Sequence, residues 1–373
     1  MFIPLCGAVA DKFGSARAVA FGGTIYAVGM YLLAGMETPF DAVFSLGALT
    51  GIGMGAASFS IILAVVGRTA PPERRGLYLG ITSAGGSSGQ FVLVPATQYA
   101  IDGYGWAMTL IGLSALVAVI VPLSAAFAGS TRANDTEHQS QSISAALREA
   151  MRHRGYVLLT TGYFVCGFQL SFISPHLPGY LTDAGAPSTL AAWALSLVGL
   201  LNIVGCFFWG RLGDGYSKKN LLALIYTARG AAIAVFVMLS VSELNVMTFA
   251  AVIGFLWLGT VLLTSGMVAQ LFGVQYMSTL TGIAFASHQL GSFVGIWLGG
   301  EIYAATGSYD IIWWASAALG FAAALINYAI DESPPRYALR LSFPGTANTP
   351  FSRVIIEDGG GMYHHPPKEQ NHA

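Results

Sequence analysis

The sequence predicts an all-α integral membrane protein built as two related halves, and three observations carry that prediction. Of its 373 residues 54% are hydrophobic and 9% charged, with a mean hydropathy of +0.63, whereas about a quarter of a soluble domain is charged. Apolar runs long enough to cross a bilayer, which needs roughly 20 residues per helix, follow one another along most of the chain. A short charged turn is also written twice. Gly7, Asp11, Lys12, Gly14 and Arg17 return as Gly210, Asp214, Lys218 and Lys219, an offset of 214 − 11 = 203. Gly80 and Gly89 return as Gly282 and Gly291, an offset of 202, so distant anchors agree on one duplication.

Taken in order, Met1 to Val9 reads as the end of a helix, and the first turn follows. Spans are expected near residues 18–36, 42–67, 76–100 and 105–128. After a polar segment, further spans follow near 156–181, 188–210, 220–241, 246–270, 278–303 and 311–330. The organisation is therefore a first bundle over 1–128, a linker over 129–155, a second bundle over 156–331, and a tail over 332–373 rich in Pro, Gly, His and charge, where little order is expected. Within the linker, Ile143, Ala146, Leu147 and Ala150 share one helical face. They suit either an amphipathic helix on the inner membrane surface or a solvated connection.

Basic residues assign the orientation. Lys12, Arg17, Arg68, Arg74, Arg75, Arg211, Lys218 and Lys219 fall in one set of alternating loops. The other set holds Glu37, Asp41, Asp102, Asp183, Glu243 and Asp310 without Lys or Arg. Both turns, the linker and the C-terminus are therefore expected in the cytoplasm, with the spans in the inner (plasma) membrane. A net charge of −1 argues against a nucleic-acid partner. Cys6, Cys166 and Cys206 lie in apolar runs without metal-type spacing, so neither a disulfide framework nor a metal site is expected. No nucleophile with its base and no cofactor motif appears among the spans, which excludes most enzyme classes.

Strongly polar residues inside spans are functional candidates because unpaired polar groups in hydrocarbon are costly. Arg229 is the one basic residue deep in a span, about 15 Å along its helix from Lys219 at 1.5 Å per residue. It suits either a substrate carboxylate or a buried structural pair. His288, Gln289 and Ser292 stand similarly deep, and His288 and Ser292 share a face. Cys166, Gln169 and His176 fall on one face of the span over 156–181. Histidine exchanges protons near neutral pH, so His288 and His176 suit either a proton-linked path or neutral structural imidazoles. Ser83, Ser87 and Gln90 line one side of the span over 76–100, and Asn202 lies within the span over 188–210.

The duplicated turn resembles the signature between the second and third helices of the major facilitator superfamily. Arg74-Arg75-Gly76 through Gly89, Gly162 through Gln169, and Ser287 through Phe293 are similar to the monocarboxylate porters and their bacterial relatives. The resemblance covers Met1 to about Ile330. It implies two pseudo-symmetric bundles, with about ten complete membrane helices plus a partial one, that rock about a central site. Helix 1 and most of helix 2 would then be absent. It further implies that Asp11 accepts from the start of helix 11 with Arg68 as a partner, and that Asp214 accepts from the start of helix 5. These contacts, with Lys12, Arg17, Lys218 and Lys219, would form a conformational latch.

The function implied is secondary transport of a small organic anion, monocarboxylate-like and proton-coupled. The partners would be substrate, protons and membrane lipid. An efflux carrier for amphipathic solutes and a truncated membrane protein that does not transport are the alternatives. Asn202 stands without the Asp and Arg pair that animal lactate carriers place in helix 8, so substrate identity is not inherited.

Overall fold

In lipid every backbone N–H and C=O needs a partner within the segment, which leaves helices as the spanning solution for such a sequence. The computed structural model describes residues 2–128 and 143–333 and is helical nearly throughout. The helices are α1 (Ile3–Phe13), α2 (Ser15–Ala34), α3 (Pro39–Thr69, interrupted at Ala57 and Ser58) and α4 (Arg75–Ala118). After the short α5 (Ile143–Arg152) come α6 (Arg154–Asp183), α7 (Ser188–Gly215), α8 (Lys218–Met238), α9 (Glu243–Leu256), α10 (Gly259–Phe272), α11 (Met277–Thr306) and α12 (Asp310–Tyr328).

Among the described residues, eight stretches are long and apolar enough to cross a membrane: Ser15–Ala34, Pro39–Thr69, Tyr99–Phe127, Arg154–Asp183, Thr189–Gly215, Lys218–Met238, Glu243–Phe272 and Asp310–Tyr328. The other two expected spans are also helical, in the first part of α4 and in α11, but carry more Gly, Ser and Thr.

The expected spans over 76–100 and 105–128 are two helices that meet at a kink at Gly105, whose non-helical φ of 79° is open to glycine at little cost. One boundary differs from the sequence reading. The expected single span over 246–270 is two helices, α9 and α10, separated at Trp257 and Leu258. The linker stretch does form a helix, and Ala146 and Ala150 are its buried residues. The expected tail lies outside the described residues.

The duplication is visible in how glycines meet. On α1, a Cβ added at Gly7 would stand 2.5 Å from the Ser278 carbonyl oxygen, and one on Gly282 of α11 would stand 3.2 Å from that of Ile3. On α7, a Cβ on Gly210 would stand 2.6 Å from the Gly76 carbonyl oxygen, while Gly80 of α4 faces that of Cys206. Two crossings thus join the first half to the second, each using the anchors that define the repeat. Small residues let the backbones touch where lipid offers no hydrophobic drive for helix association. Within the second half α6 and α11 cross in the same way, with Gly291 against Phe164, Gly295 against Phe168 and Gly299 against His176.

Candidate functional site

At one end of the molecule each signature carboxylate meets a helix start from the opposite half. Asp11 Oδ2 accepts from the Thr279 amide and the Thr279 hydroxyl, both at 2.7 Å, in the first turn of α11. Its Oδ1 pairs with Arg68 at 3.0 Å, and Arg68 donates onward to Ser15 at 2.7 Å and Ser278 at 3.3 Å. Asp214 accepts from the amides of Gly76 at 2.5 Å and Leu77 at 3.0 Å, in the first turn of α4. The first four amides of a helix have no partner inside it and carry partial positive charge, so a carboxylate suits both places.

The other basic residues of the two turns stand apart from these contacts. Lys12 is exposed, lying over the ring of Phe13, and Arg17 is exposed. Lys218 donates to Gln270 at 2.9 Å, and the Lys219 amide donates to Glu332 at 3.0 Å. Lys218 also lies in electrostatic range of Asp214.

Deep in the second half, the break between α9 and α10 frees backbone groups that side chains then take up. Trp209 donates to the Phe255 carbonyl at 3.0 Å, and Arg229 donates to those of Leu256 at 2.5 Å and Trp257 at 2.6 Å. Asn202 accepts from the Leu258 amide at 3.0 Å and donates to Ser87 on α4 at 2.8 Å. A hydrogen bond within the membrane interior therefore joins the halves, about 18 Å along α7 from Asp214. Ser83 bonds back to its own helix at Leu79, at 2.9 Å. The side chain of Gln90 lies outside the described residues.

Arg229 is fully buried. Its remaining hydrogen-bond contacts are the Cys166 sulfur at 3.3 Å and the Thr260 hydroxyl at 3.3 Å, and the guanidinium lies over the Tyr226 ring at 5.8 Å. Among the described residues its hydrogen-bond partners are therefore a thiol, a hydroxyl and two carbonyls, and the acidic partner of a structural pair is not among them. A guanidinium cannot shed its proton, so Arg229 keeps a permanent positive charge there, which the C-terminal dipole of α9 faces.

His288 borders this cluster. Its ring lies 4.8 Å from the Tyr163 ring, and it also contacts Cys166. Its Nδ1 is 3.2 Å from the exposed Gln289 and 3.5 Å from Ser292. Ser292 is buried and donates to the His288 carbonyl at 3.0 Å. On the side of the first half, Tyr163 meets Phe285 edge-to-face at 5.5 Å, and Phe285 meets Phe59 of α3 at 6.2 Å.

Gln169 and His176 do not join this group. Gln169 is fully buried and donates to the Ser316 carbonyl on α12 at 2.9 Å. His176 bonds to the Ile296 carbonyl at 3.0 Å and packs on Phe172 and Tyr309. The shared face of α6 is real, but part of it is used for packing. Sequence reasoning did not single out Tyr163, although it lies one turn before Cys166 on the same helix.

The Major Facilitator Superfamily pattern matches residues 1–294 and, in a second overlapping match, 159–357. Monocarboxylate transporter 13 of Rattus norvegicus is 28% identical over 314 residues, covering 82% of this chain and 71% of the relative. Monocarboxylate transporter 12-B of Danio rerio is 23% identical over 404 residues, covering 99% and 83%. The fucose:proton symporter FucP of E. coli superposes with a TM-score of 0.72 at 14% identity, covering 89% of this chain and 88% of FucP. The proton:xylose symporter XylE does so with a TM-score of 0.64 at 15% identity, covering 86% and 81%. A multi-pass helical fold, its duplicated carboxylate turns and these matches agree: the chain belongs to the major facilitator superfamily of membrane transporters.

Proposed function

We propose that this transporter carries a small organic anion, monocarboxylate-like, together with a proton by alternating access. The observation that carries the reading is the cluster in the membrane interior, where a buried, permanently charged Arg229 without a carboxylate partner stands beside the titratable His288. A cation in a low-dielectric setting favours an anion, and a histidine at its edge offers a proton site in the physiological range. Gln289 and Ser292 would orient the imidazole, and Asn202 and Ser87 would bring the first half to the site. The sequence likeness to monocarboxylate transporters supports the substrate class.

The two carboxylates act as the latch that holds one end closed. Each contact with a helix start contributes about 1 to 2 kcal/mol in a partly buried setting. The basic residues of its loops support a cytoplasmic position for that end, and on that orientation the described state is closed to the cytoplasm. Opening inward requires the contacts at Thr279, Gly76 and Leu77 to separate.

In proteoliposomes, lowering the external pH is expected to accelerate uptake of L-lactate or pyruvate, and His288→Ala to abolish that acceleration. Uptake that ignores both the pH step and the substitution contradicts the reading.

A further inference from the structure

Two donors in the interior cluster have no partner. The Tyr163 hydroxyl is buried and makes no hydrogen bond, and neither does the buried Nε of Arg229. The tyrosine as a whole is 1% exposed. Its hydroxyl lies in electrostatic range of both Arg229 and Cys166, and its ring lies against that of His288, tilted by 47° with centroids 4.8 Å apart. Leaving one buried donor unpaired costs about 1 to 3 kcal/mol, and more when it belongs to a charged group. Two such donors converging on one cluster, with a surplus positive charge, describe the complement of a carboxylate.

We propose that Tyr163 and Arg229 form the carboxylate subsite of this carrier, one carboxylate oxygen accepting from the Tyr163 O–H and the other from the Arg229 Nε–H. The proposal rests on the anion-carrier reading and names the groups that hold the anion. The charge that enters neutralises the guanidinium in place, which is the condition for burying a carboxylate without a large desolvation cost. Both bonds are of the charge-assisted kind. His288, against the same tyrosine ring, places the transported proton next to the anion. Tyr163 also underlies the aromatic contacts Phe285 and Phe59, so an anion on its hydroxyl lies where the halves meet.

The test compares the full-length chain with Tyr163→Phe, using pyruvate and L-lactate as probes. Phenylalanine keeps the ring and removes only the orphaned hydroxyl, so the variant is expected to melt no lower than the parent. Its KM for pyruvate is expected to rise about tenfold or more with kcat little changed, because a hydrogen bond to a charged group is lost. Arg229→Lys, which keeps the charge and loses the Nε–H, is expected to raise KM similarly.

An unchanged KM in Tyr163→Phe overturns the subsite while leaving the carrier reading standing. A lower melting temperature with unchanged KM also overturns it, and assigns the hydroxyl to an internal water. Should the parent transport neither acid, the carrier reading fails, and thermal protection by pyruvate then decides the subsite. Protection lost in Tyr163→Phe supports it. Protection equal in both proteins, or absent from the parent, overturns it.

Discussion

Asp11 and Asp214 occupy equivalent places in the two halves, yet their charges are balanced differently. Asp11 is neutralised from within its own half, since Arg68 on α3 holds it at 3.0 Å and Thr279 of the other half supplies only neutral donors. The position that the repeat equates with Arg68, at an offset of 270 − 68 = 202, holds Gln270. Gln270 instead accepts from Lys218, so the cation of the second half stands at the start of α8 rather than on α10. Two cations lie in electrostatic range of Asp214, Arg75 from the opposite half and Lys218 from its own. Separating the halves therefore leaves Asp11 paired with its guanidinium and takes Arg75 away from Asp214, with Lys218 still in range. On the latch proposed above, one turn would serve chiefly as a structural pin and the other chiefly as a switch.

That distinction predicts a ranking of effects. Asp11→Ala leaves Arg68 buried and uncompensated within its own half, and loss of one partner from a buried pair costs about 3 to 5 kcal/mol. A clear fall in melting temperature in detergent is expected, with much of it restored when Arg68→Met is added. A fall of the same size in Asp214→Ala would erase the difference between the turns.

Asp214→Ala is expected to change the state more than the stability, by about 1 to 2 kcal/mol towards the latch-open form. The native Cys206 reports it. This thiol is fully buried at the crossing with Gly80, and maleimide labelling in a Cys6→Ala background should accelerate about 5- to 30-fold. Unchanged labelling counts against the switch.

Gly80→Ala attacks the same crossing sterically. The added methyl meets the Cys206 carbonyl, and forcing apart well-packed backbones costs about 1 to 3 kcal/mol. Faster Cys206 labelling with an intact fold is expected.

The smallest effect belongs to Gln270→Arg combined with Lys218→Ser, which rebuilds the first-half arrangement in the second. A gain of a few tenths to about 1 kcal/mol is expected, read as slower Cys206 labelling. Acceleration instead would show that the swap does not reconstitute the pin.

Much of this contrast is legible in the sequence, and its limits are physical. The offset of 203 places Asp11 and Asp214 in equivalent turns, and the helix starts they face follow from the resemblance. Arg229 stands out as the one basic residue deep in a span. The break between α9 and α10 is not legible, because no proline marks it and Gly254 and Gly259 fit an unbroken helix equally well. The break is held by Arg229, Trp209 and Asn202 from two other helices, and tertiary partners leave no local trace. The same limit explains Gln169. Periodicity tells which residues share a face of α6, not that this residue reaches the Ser316 carbonyl on α12. Tyr163 carried a weak signal only, since an aromatic residue in an apolar run reads as packing until its hydroxyl is found without a partner.

The most direct test of the account records internal pH and anion uptake together in proteoliposomes under an imposed pyruvate gradient. The account predicts that the lumen acidifies in step with pyruvate entry and that His288→Ala uncouples the two. Pyruvate entry with no proton movement in the parent protein would contradict it.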